Sequence, residues 1–432
     1  PGPLEGEIMV ISRRLVGTAG AALAATLVLS SCGSSSGTSD GGGTTEINLW
    51  VPAGTATIAP YVQSFNAANP QYEVKLREIA FAQYDTSLGQ AFSSGQGPDL
   101  AQINGTSMPS FAGKGFLQDV TPIIGSDGDL AADNFYPNLY KAAAYEDEQV
   151  TIPIDTGTRV LQYNKKLLEK AGVAPFGETA DYADILAAAQ KVRALGDDYQ
   201  GFCYVGGVKE YTINSNMGPF VKQSGGSFVD ASGTKATLDT PEAVRGVTFF
   251  KDLAATGAES NIVSTSNEAC GEGFAAGTVG MQFEGFWSIP AAGTTGPDFE
   301  LGQTLPMDET VYSSTGGWVL GVPAYVEDDA KKAALKAFVA DMYKPANIVK
   351  FTGLMPATLS GRDAATTLKD PQYDIYWKIL EENADNPIPL SDKLVEQGNL
   401  LTSAMQSILQ GDETVEAGLA KANTAFQATL GG

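Results

Sequence analysis

Apolar positions along the chain repeat with two different periods, beginning near residue 47. INLWV (47–51) is a short apolar run, and YEVKL (72–76) alternates with the two-residue period of a half-buried strand. Between them, the stretch 58–69 carries apolar side chains every three to four residues, which is the period of a helix. A strand, a helix and a strand in this order predict a βαβ unit, in which helices cover a parallel sheet.

The same alternation continues to the end of the chain and predicts an α/β protein throughout. Further strands are predicted at 99–103, 158–164, 201–205, 279–283 and 317–323. Further helices are predicted at 84–95, 165–172, 179–195, 240–257 and 327–343, and from 373 onward apart from a break at NPIPL (386–390).

The N-terminal residues follow a different pattern. Arg13 and Arg14 precede an apolar run, Leu15 to Leu29, that is shorter than the about 20 residues of a membrane span. A basic start, a short apolar core and small residues after it are typical of a secretory signal peptide. We assign residues 9–31 to this segment, and residues 1–8 fit no part of it.

The cysteine that follows has a specific interpretation. LSSC (29–32) resembles the lipobox of bacterial lipoproteins, whose cysteine is acylated and becomes the mature N-terminus. A plain signal peptide with a chance cysteine is the alternative. Residues 32–45 are rich in Ser, Gly and Thr and are predicted to be a flexible linker. Cys32 is therefore predicted to anchor an extracytoplasmic protein to the cell membrane.

Composition restricts the chemistry of the remaining chain. The 432 residues are 43% hydrophobic, carry a net charge of −23 and include no histidine. The acidic balance argues against nucleic acid and against anionic lipid as partners. Without histidine, a Ser-His-Asp nucleophile and a histidine-ligated zinc site are impossible, and no cofactor or metal is predicted. Cys203 and Cys270 are expected to form either a disulfide or two buried thiols.

Six ordered stretches together resemble the carbohydrate-type solute-binding proteins of ABC importers, the maltose-binding-protein-like group. The resemblance covers nearly all of residues 46–432 and rests on 93–104, 150–173, 273–287, 315–323, 353–357 and 412–427. It implies a two-lobe α/β fold of the periplasmic-binding-protein type, in which each lobe is a mostly parallel sheet flanked by helices. The ligand would be trapped as the lobes close about a hinge.

Transferring the family's chain path divides the protein at crossings near Asp155, Gly316 and Phe351. The first lobe would then be 46–155 with 316–350, and the second 156–315 with 351–432. The resemblance also implies a monomer that binds a carbohydrate, presents it to the permease subunits of an importer, performs no catalysis and contacts the membrane only through its anchor.

Residues at the ends of the predicted strands, together with the family pattern, indicate where a ligand would bind. Sugar hydroxyls need carboxylate, amide and guanidinium groups, and the apolar face of a sugar ring needs an aromatic side chain. In open α/β sheets ligands lie beyond the carboxyl ends of the strands. The predicted ligand-binding residues are Gly54, Thr55, Gln83, Tyr84, Asn104, Asp155, Arg159, Tyr204, Glu284, Trp287, Gly316, Gly317, Trp318 and Arg362.

Two other functions stay open at this point. A binding protein for a phosphorylated polyol or glycerophosphodiester would need a basic cleft, to which Arg159 and Arg362 would contribute. An exported lipoprotein glycosidase would need two carboxylates about 5 to 9.5 Å apart. Trp50, which lies inside a predicted strand, is expected to belong to the core rather than to the cleft.

Overall fold

Two mixed β-sheets organise the part of the chain that the computed structural model describes. The described residues are 44–430, apart from Thr55, 126–127, 290–295, Pro297, Leu354, Asn383 and 386–390. The predicted signal peptide, Cys32, most of the linker and the NPIPL break therefore lie outside them. Among the described helices, none combines the length and the apolar character needed to cross a bilayer.

The strands are β1 (Thr45–Pro52), β2 (Tyr72–Ile79), β3 (Leu100–Asn104), β4 (Thr151–Pro153), β5 (Asp155–Asn164), β6 (Thr179–Asp181), β7 (Gln200–Cys203), β8 (Val279–Gly285), β9 (Leu301–Met307), β10 (Ser313–Gly316), β11 (Trp318–Gly321), β12 (Met355–Pro356) and β13 (Ala384–Asp385). The α-helices are α1 (Ile58–Ala68), α2 (Phe81–Ser94), α3 (Met108–Ala112), α4 (Thr121–Ile124), α5 (Pro137–Ala142), α6 (Lys165–Lys170), α7 (Tyr182–Arg193), α8 (Lys209–Tyr211), α9 (Gly218–Gln223), α10 (Pro241–Ala254), α11 (Glu268–Ala275), α12 (Asp329–Met342), α13 (Pro345–Thr352), α14 (Leu359–Ala364), α15 (Asp374–Glu382), α16 (Leu394–Gln410) and α17 (Val415–Leu430).

The hydrophobic pattern explains why the first of these elements form. In α1, the apolar positions Ile58, Tyr61, Val62 and Phe65 are all buried, as a helix with one core-facing side requires. Helix α2 ends at Gly95, whose φ of 67° lies in the left-handed region that glycine adopts at helix ends. The predicted βαβ unit is confirmed, because β1 pairs in parallel with β2 and with β3.

The first sheet has the strand order β2-β1-β3-β11-β4. Strand β11 runs antiparallel to both β3 and β4, so this sheet is mixed. In the second sheet, β5 is antiparallel to β8, β9, β10 and β12, whereas β7–β8, β6–β9 and β10–β13 are parallel pairs. The two-sheet α/β architecture with mostly parallel sheets is confirmed, because among the described strands only β11 in the first sheet and β5 in the second run against the others. The strands that pass between the sheets run against their neighbours.

The chain passes between the sheets where two pairs of strands meet nearly end to end. Strand β4 belongs to the first sheet and β5 to the second, with Ile154 between them. Strands β10 and β11 make the reverse passage at Gly317. The amide of Ile154 donates to the carbonyl of Trp318, at 2.9 Å, and ties the two passages together.

One predicted helix begins later than the sequence indicates. Residues 179–181 form β6, which pairs in parallel with β9, and α7 begins only at Tyr182. Strand pairing across the sheet overrides the local helical pattern there. At the end of β5, the buried Asn164 accepts hydrogen bonds from the amides of Lys166 and Leu167, so this side chain caps α6.

Candidate functional site

A polar cavity of about 220 Å³, called the inner cavity below, lies where the chain passes between the sheets. The start of β5 and the residues that join β10 to β11 form much of its lining. Other lining residues come from the end of β3, from the turn after β8 and from the segment 210–214. The lining residues are Phe81, Asn104, Asp155, Thr156, Gly157, Arg159, Glu210, Tyr211, Asn214, Trp287, Gly316, Gly317 and Trp318.

Half of the residues predicted to bind a ligand lie together in this cavity. Asn104 comes from the first sheet, Arg159 from the second, and the rest from the passages or the turn after β8. The predicted residues that line it are Asn104, Asp155, Arg159, Trp287, Gly316, Gly317 and Trp318.

Two glycines without side chains leave the space that the Trp287 ring occupies. A Cβ atom at Gly157 would lie 2.4 Å from Cζ3 of Trp287, and one at Gly285 would lie 2.1 Å from it. Gly157 and Gly285 are on the adjacent strands β5 and β8, in which Gly285 is opposite Arg159. The ring therefore lies directly against strand backbone, in space that any side chain at these positions would occupy.

Arg159 lines the cavity and has buried donors without a partner in the part of the chain that the structure describes. Its guanidinium lies over the Trp287 ring, with Cζ 5.0 Å from the ring centre. The buried Nε and Nη1 atoms have no hydrogen-bond partner among the described residues, and neither do Thr156 Oγ1 and Asn214 Oδ1. Buried polar groups are normally satisfied, because an unmade hydrogen bond costs about 1–3 kcal/mol. Four such atoms around one cavity indicate a polar ligand.

Two buried carboxyl groups accompany this cation. Burial raises the pKa of Asp155 to about 8, although the amide of Trp318 donates to its Oδ1 at 2.8 Å. Burial also raises the pKa of Glu284, and the nearby charge of Arg159 opposes that shift. The pKa of Arg159 is lowered by its own burial. A carboxyl group with the pKa of Asp155 is mostly protonated at neutral pH, so Asp155 does not offset the charge of Arg159. The acidic residue Glu210 in the same lining does, and the cavity therefore holds little net charge.

A second cavity of about 280 Å³, called the outer cavity below, continues from the inner one. The two share Phe81, Asn104, Glu210 and Trp318. Tyr84 also lines the outer cavity, but it is only 1% exposed and its hydroxyl donates to the carbonyl of Trp50 at 2.8 Å. It packs edge-on against Trp318 and so holds that ring in place.

Two predicted residues lie behind the cavity instead of in it. Tyr204 is 6% exposed and packs against Phe202 and Phe250 in the core of the second sheet. Glu284 is 5% exposed and, with Tyr204, borders a separate space of about 10 Å³. Glu284 thus acts on the inner cavity through the charge of Arg159, and Tyr204 supports the fold.

Other predicted residues lie elsewhere. Gly54 is in an exposed turn with φ 116°, and Gln83 is exposed on α2 and lines neither cavity. Thr55 lies outside the described residues. Arg362 is on α14, where it pairs with Glu381 and lies over Trp377, 5.1 Å from its ring centre. Placing Gly54, Gln83 and Arg362 in the cleft is therefore not supported, and surface acids satisfy Arg362.

The segment 209–214 was missed by the reasoning from sequence. Glu210, Tyr211 and Asn214 line the inner cavity from the short helix α8 and the π-helical turn after it. Lys209 pairs with Glu210 and lies 3.5 Å from Asp85 Oδ2 of α2. No strand end or regular hydrophobic period marks this segment, so only its contacts in the folded protein identify it.

Cys203 and Cys270 form a disulfide, with Cα atoms 5.5 Å apart. This decides between the two alternatives that the sequence left open. The bond links β7 to α11 and packs with Phe274, Val279 and Phe299. Strand β7 pairs with β8, and the turn that carries Trp287 follows β8.

Comparison with known proteins gives this geometry a context. The family model of the bacterial extracellular solute-binding proteins matches residues 50–348. The chain is 25% identical to the diacetylchitobiose binding protein DasA of Streptomyces coelicolor over 327 residues, which are 72% of each protein. It is 30% identical to an arabinooligosaccharide-binding protein of Halalkalibacterium halodurans over 228 residues, which are 49% of this chain and 46% of that one.

A solved structure has the same fold. An ABC transporter solute-binding protein of Thermotoga lettingae, bound with α-D-tagatose, superposes with a TM-score of 0.76 at 25% identity. The match covers 90% of this chain and all of that one. The two-lobe architecture inferred from the sequence is thereby confirmed.

Proposed function

The chain belongs to the family of bacterial extracellular solute-binding proteins, and from this premise we propose that it captures a neutral sugar or oligosaccharide for an ABC importer. The observation that carries the proposal is the set of unpaired polar atoms on Arg159, Thr156 and Asn214 beside the Trp287 ring. Hydroxyl groups would satisfy these atoms, and the apolar face of a sugar ring would cover the aromatic surface.

The similar proteins support this choice of ligand. The two relatives are named for diacetylchitobiose and for arabinooligosaccharides, and the solved structure holds a ketose. These ligands share hydroxyl groups on a compact ring and carry no charge. The near-neutral inner cavity suits such molecules better than an anion.

Binding is proposed to proceed by hinge closure of two lobes, 46–155 with 316–350 and 156–315 with 351–432. The passages at Ile154 and Gly317 would be the hinge. Among the contacts that join residues assigned to opposite lobes, two lie beside the cavities and would favour the closed form. Lys209 Nζ lies 3.5 Å from Asp85 Oδ2, and the hydroxyl of Ser110 donates to the carbonyl of Asp392 at 2.8 Å.

The geometry of the inner cavity favours neither alternative function. A phosphorylated ligand would meet a single guanidinium, Arg159, with the acidic residue Glu210 in the same lining, because Arg362 is engaged with Glu381. For a glycosidase, both carboxyl groups that line the inner cavity are already engaged, Asp155 by the Trp318 amide and Glu210 by Lys209. Glu284 lies behind the cavity wall. The protein is proposed to release its ligand unchanged to permease subunits, acting as a monomer.

A thermal-shift screen against neutral sugars and sn-glycerol 3-phosphate tests this function. A ligand present at 100 times its Kd adds about 2.7 kcal/mol of stability, so a bound sugar should raise Tm by several degrees. The Arg159→Met variant provides the control, because its shift with the same sugar should be much smaller. A shift with glycerol phosphate and with no sugar would overturn the proposal.

The proposed lipid anchor rests on LSSC (29–32) and the linker after it. Replacement Cys32→Ala should remove the acylation site, so the protein should leave the cell envelope or stay unprocessed. Fractionation of cells, followed by mass determination of the N-terminus, measures both outcomes. A processed Cys32→Ala protein that stays on the membrane would contradict the anchor.

A further inference from the structure

Phe81 is a large apolar side chain that the protein leaves in water. It is 44% exposed at the first turn of α2, although 81–94 is otherwise an amphipathic helix packed on the first sheet. Covering such a ring with a ligand would remove apolar area from water at about 25 cal/mol per Å². Whether a bound ligand covers the Phe81 ring therefore depends on where this ring lies relative to the cavities.

The ring is one of a row of aromatic side chains held by the first sheet. Phe81 packs edge-on against Trp318, with ring centres 6.1 Å apart, and Trp318 packs in the same way against Tyr84 at 6.3 Å. The hydroxyl of Tyr84 donates to the carbonyl of Trp50 in β1. This row is fixed before any ligand binds, so little ordering entropy opposes stacking on it.

Phe81 also lies at the junction of the two cavities. Together with Asn104, Glu210 and Trp318 it lines both the inner and the outer cavity. The cavities measure about 220 and 280 Å³, so each is smaller than the roughly 300–1,000 Å³ of typical ligand sites. Combined, they fall inside that range, and a ligand in the inner cavity alone would leave Phe81 partly exposed.

The outer cavity has its own polar groups for a second set of hydroxyls. Thr265 and Asn399 line only the outer cavity of the two. Asn104 is oriented by hydrogen bonds from Thr106 to its Oδ1, one from the amide at 3.0 Å and one from the hydroxyl at 2.7 Å. The outer cavity therefore combines polar side chains with the exposed Phe81 ring, as the inner cavity combines polar side chains with the Trp287 ring.

We infer that the outer cavity is a second sugar subsite, so that the ligand is an oligosaccharide of at least two rings. One ring occupies the inner cavity beside Trp287, and the next lies against Phe81 and Trp318. This inference rests on the proposed sugar-binding function and narrows it, since a monosaccharide fills the inner cavity only. A larger cavity of about 820 Å³ adjoins the outer one through Asp85, Thr86, Lys209 and Asn399 and leaves room for further rings.

Calorimetric titration with matched pairs of probes tests the inference. The pairs are N-acetylglucosamine with diacetylchitobiose, arabinose with arabinotriose, and glucose with maltotriose. The wild-type protein should bind the oligosaccharide of at least one pair about tenfold or more tightly than its monosaccharide. Phe81→Ala should remove most of this preference, while Phe81→Tyr, which keeps the ring, should retain it.

The control is Leu359→Ala, which truncates an apolar side chain of similar exposure, 38%, that lines none of these cavities. It should leave every affinity unchanged, and melting curves should show that all three variants are folded. Equal affinity for both members of every bound pair, or an unchanged preference in Phe81→Ala, would overturn the second subsite while leaving sugar binding intact. Absence of binding to any sugar would instead overturn the proposed function and this inference with it.

Discussion

Trp318 and Trp287 both line the inner cavity, but different contacts hold them in place. The amide of Trp318 donates a hydrogen bond to the carboxyl group of Asp155. The Trp318 ring packs against Tyr84, whose hydroxyl donates a hydrogen bond to the carbonyl of Trp50. The ring of Trp287 lies on two glycines and beneath a guanidinium whose Nε and Nη1 have no partner among the described residues.

These different contacts indicate that the two walls have different roles, one in stability and the other in ligand binding. Hydrogen bonds and ring contacts within the protein hold the wall around Trp318, so it stabilises the folded protein and presents a rigid aromatic surface. The wall around Trp287 leaves polar atoms unpaired, which lowers stability without ligand and reserves those atoms for binding. Substitutions in the first wall should therefore change mainly stability, and substitutions in the second should change mainly affinity.

Asp155 lies between the two walls and gives the largest expected effect. Its folded-state pKa of about 8 is above the unfolded value of about 3.9, so the native state holds the proton more tightly. The free energy of unfolding should then fall as pH rises from about 4 to about 8, by about 5 kcal/mol in total from this group. Asp155→Asn stays neutral and keeps Oδ1 as the acceptor for Trp318, so its stability should fall less over that range.

Denaturant unfolding of both proteins between pH 4 and 9 measures this difference. Glu284, whose pKa burial also raises, is present in both proteins and cancels in the comparison. Parallel pH profiles for wild type and Asp155→Asn would show that the Asp155 carboxyl is ionised in the folded state at neutral pH.

Arg159 is expected to have the next largest effect. Arg159→Met keeps most of the side-chain volume but removes donors whose hydrogen bonds to a ligand are each worth about 1.5–3 kcal/mol, so affinity should fall about 10- to 150-fold. Stability without ligand should change little, because an unpaired buried cation is removed while Glu284 loses its neighbouring charge. Arg245→Met is the matched control, since Arg245 pairs with Asp308 at the surface and lines neither cavity. A large loss of stability with unchanged affinity in Arg159→Met would reverse the assignment of tasks to the two walls.

Many residues that line the inner cavity can be located from the sequence, because short local patterns mark them. Strand ends, the glycines at 316–317 and the tryptophans after strands are visible as short patterns. A Cβ at Gly317 would lie 2.2 Å from the carbonyl oxygen of Asp155, so this glycine is required by a close passage of backbone rather than by a ligand.

Other features depend on contacts between distant segments and leave no local pattern. Glu210 reaches the cavity from the short helix α8 and Asn214 from the π-helical turn after it, and β6 forms only because β9 lies beside it. The contact of Arg362 leaves no local pattern for the same reason, because its partner Glu381 comes from the next helix. Phe81 lies two residues after the end of β2 and two residues before the predicted Gln83, and an aromatic side chain at that position is the available signal.

Trp287 gives the smallest of the three effects and the most direct test of the comparison. Trp287→Ala removes the ring that would stack on the sugar, and affinity should fall by about 2 kcal/mol, or about 30-fold, as for other buried aromatic contacts. The fold should persist, because the ring is partly exposed and lies on strand backbone at Gly157 and Gly285 rather than inside a core. Trp50→Phe, in contrast, alters a half-buried strand residue that stacks with Arg77 and packs in the core of the first sheet, so it should lower Tm more than affinity. Calorimetric titration and melting curves on both variants measure the two quantities. If Trp287→Ala lost stability and kept its affinity, the ring would be a structural element, and the binding wall of the second sheet would have to lie elsewhere.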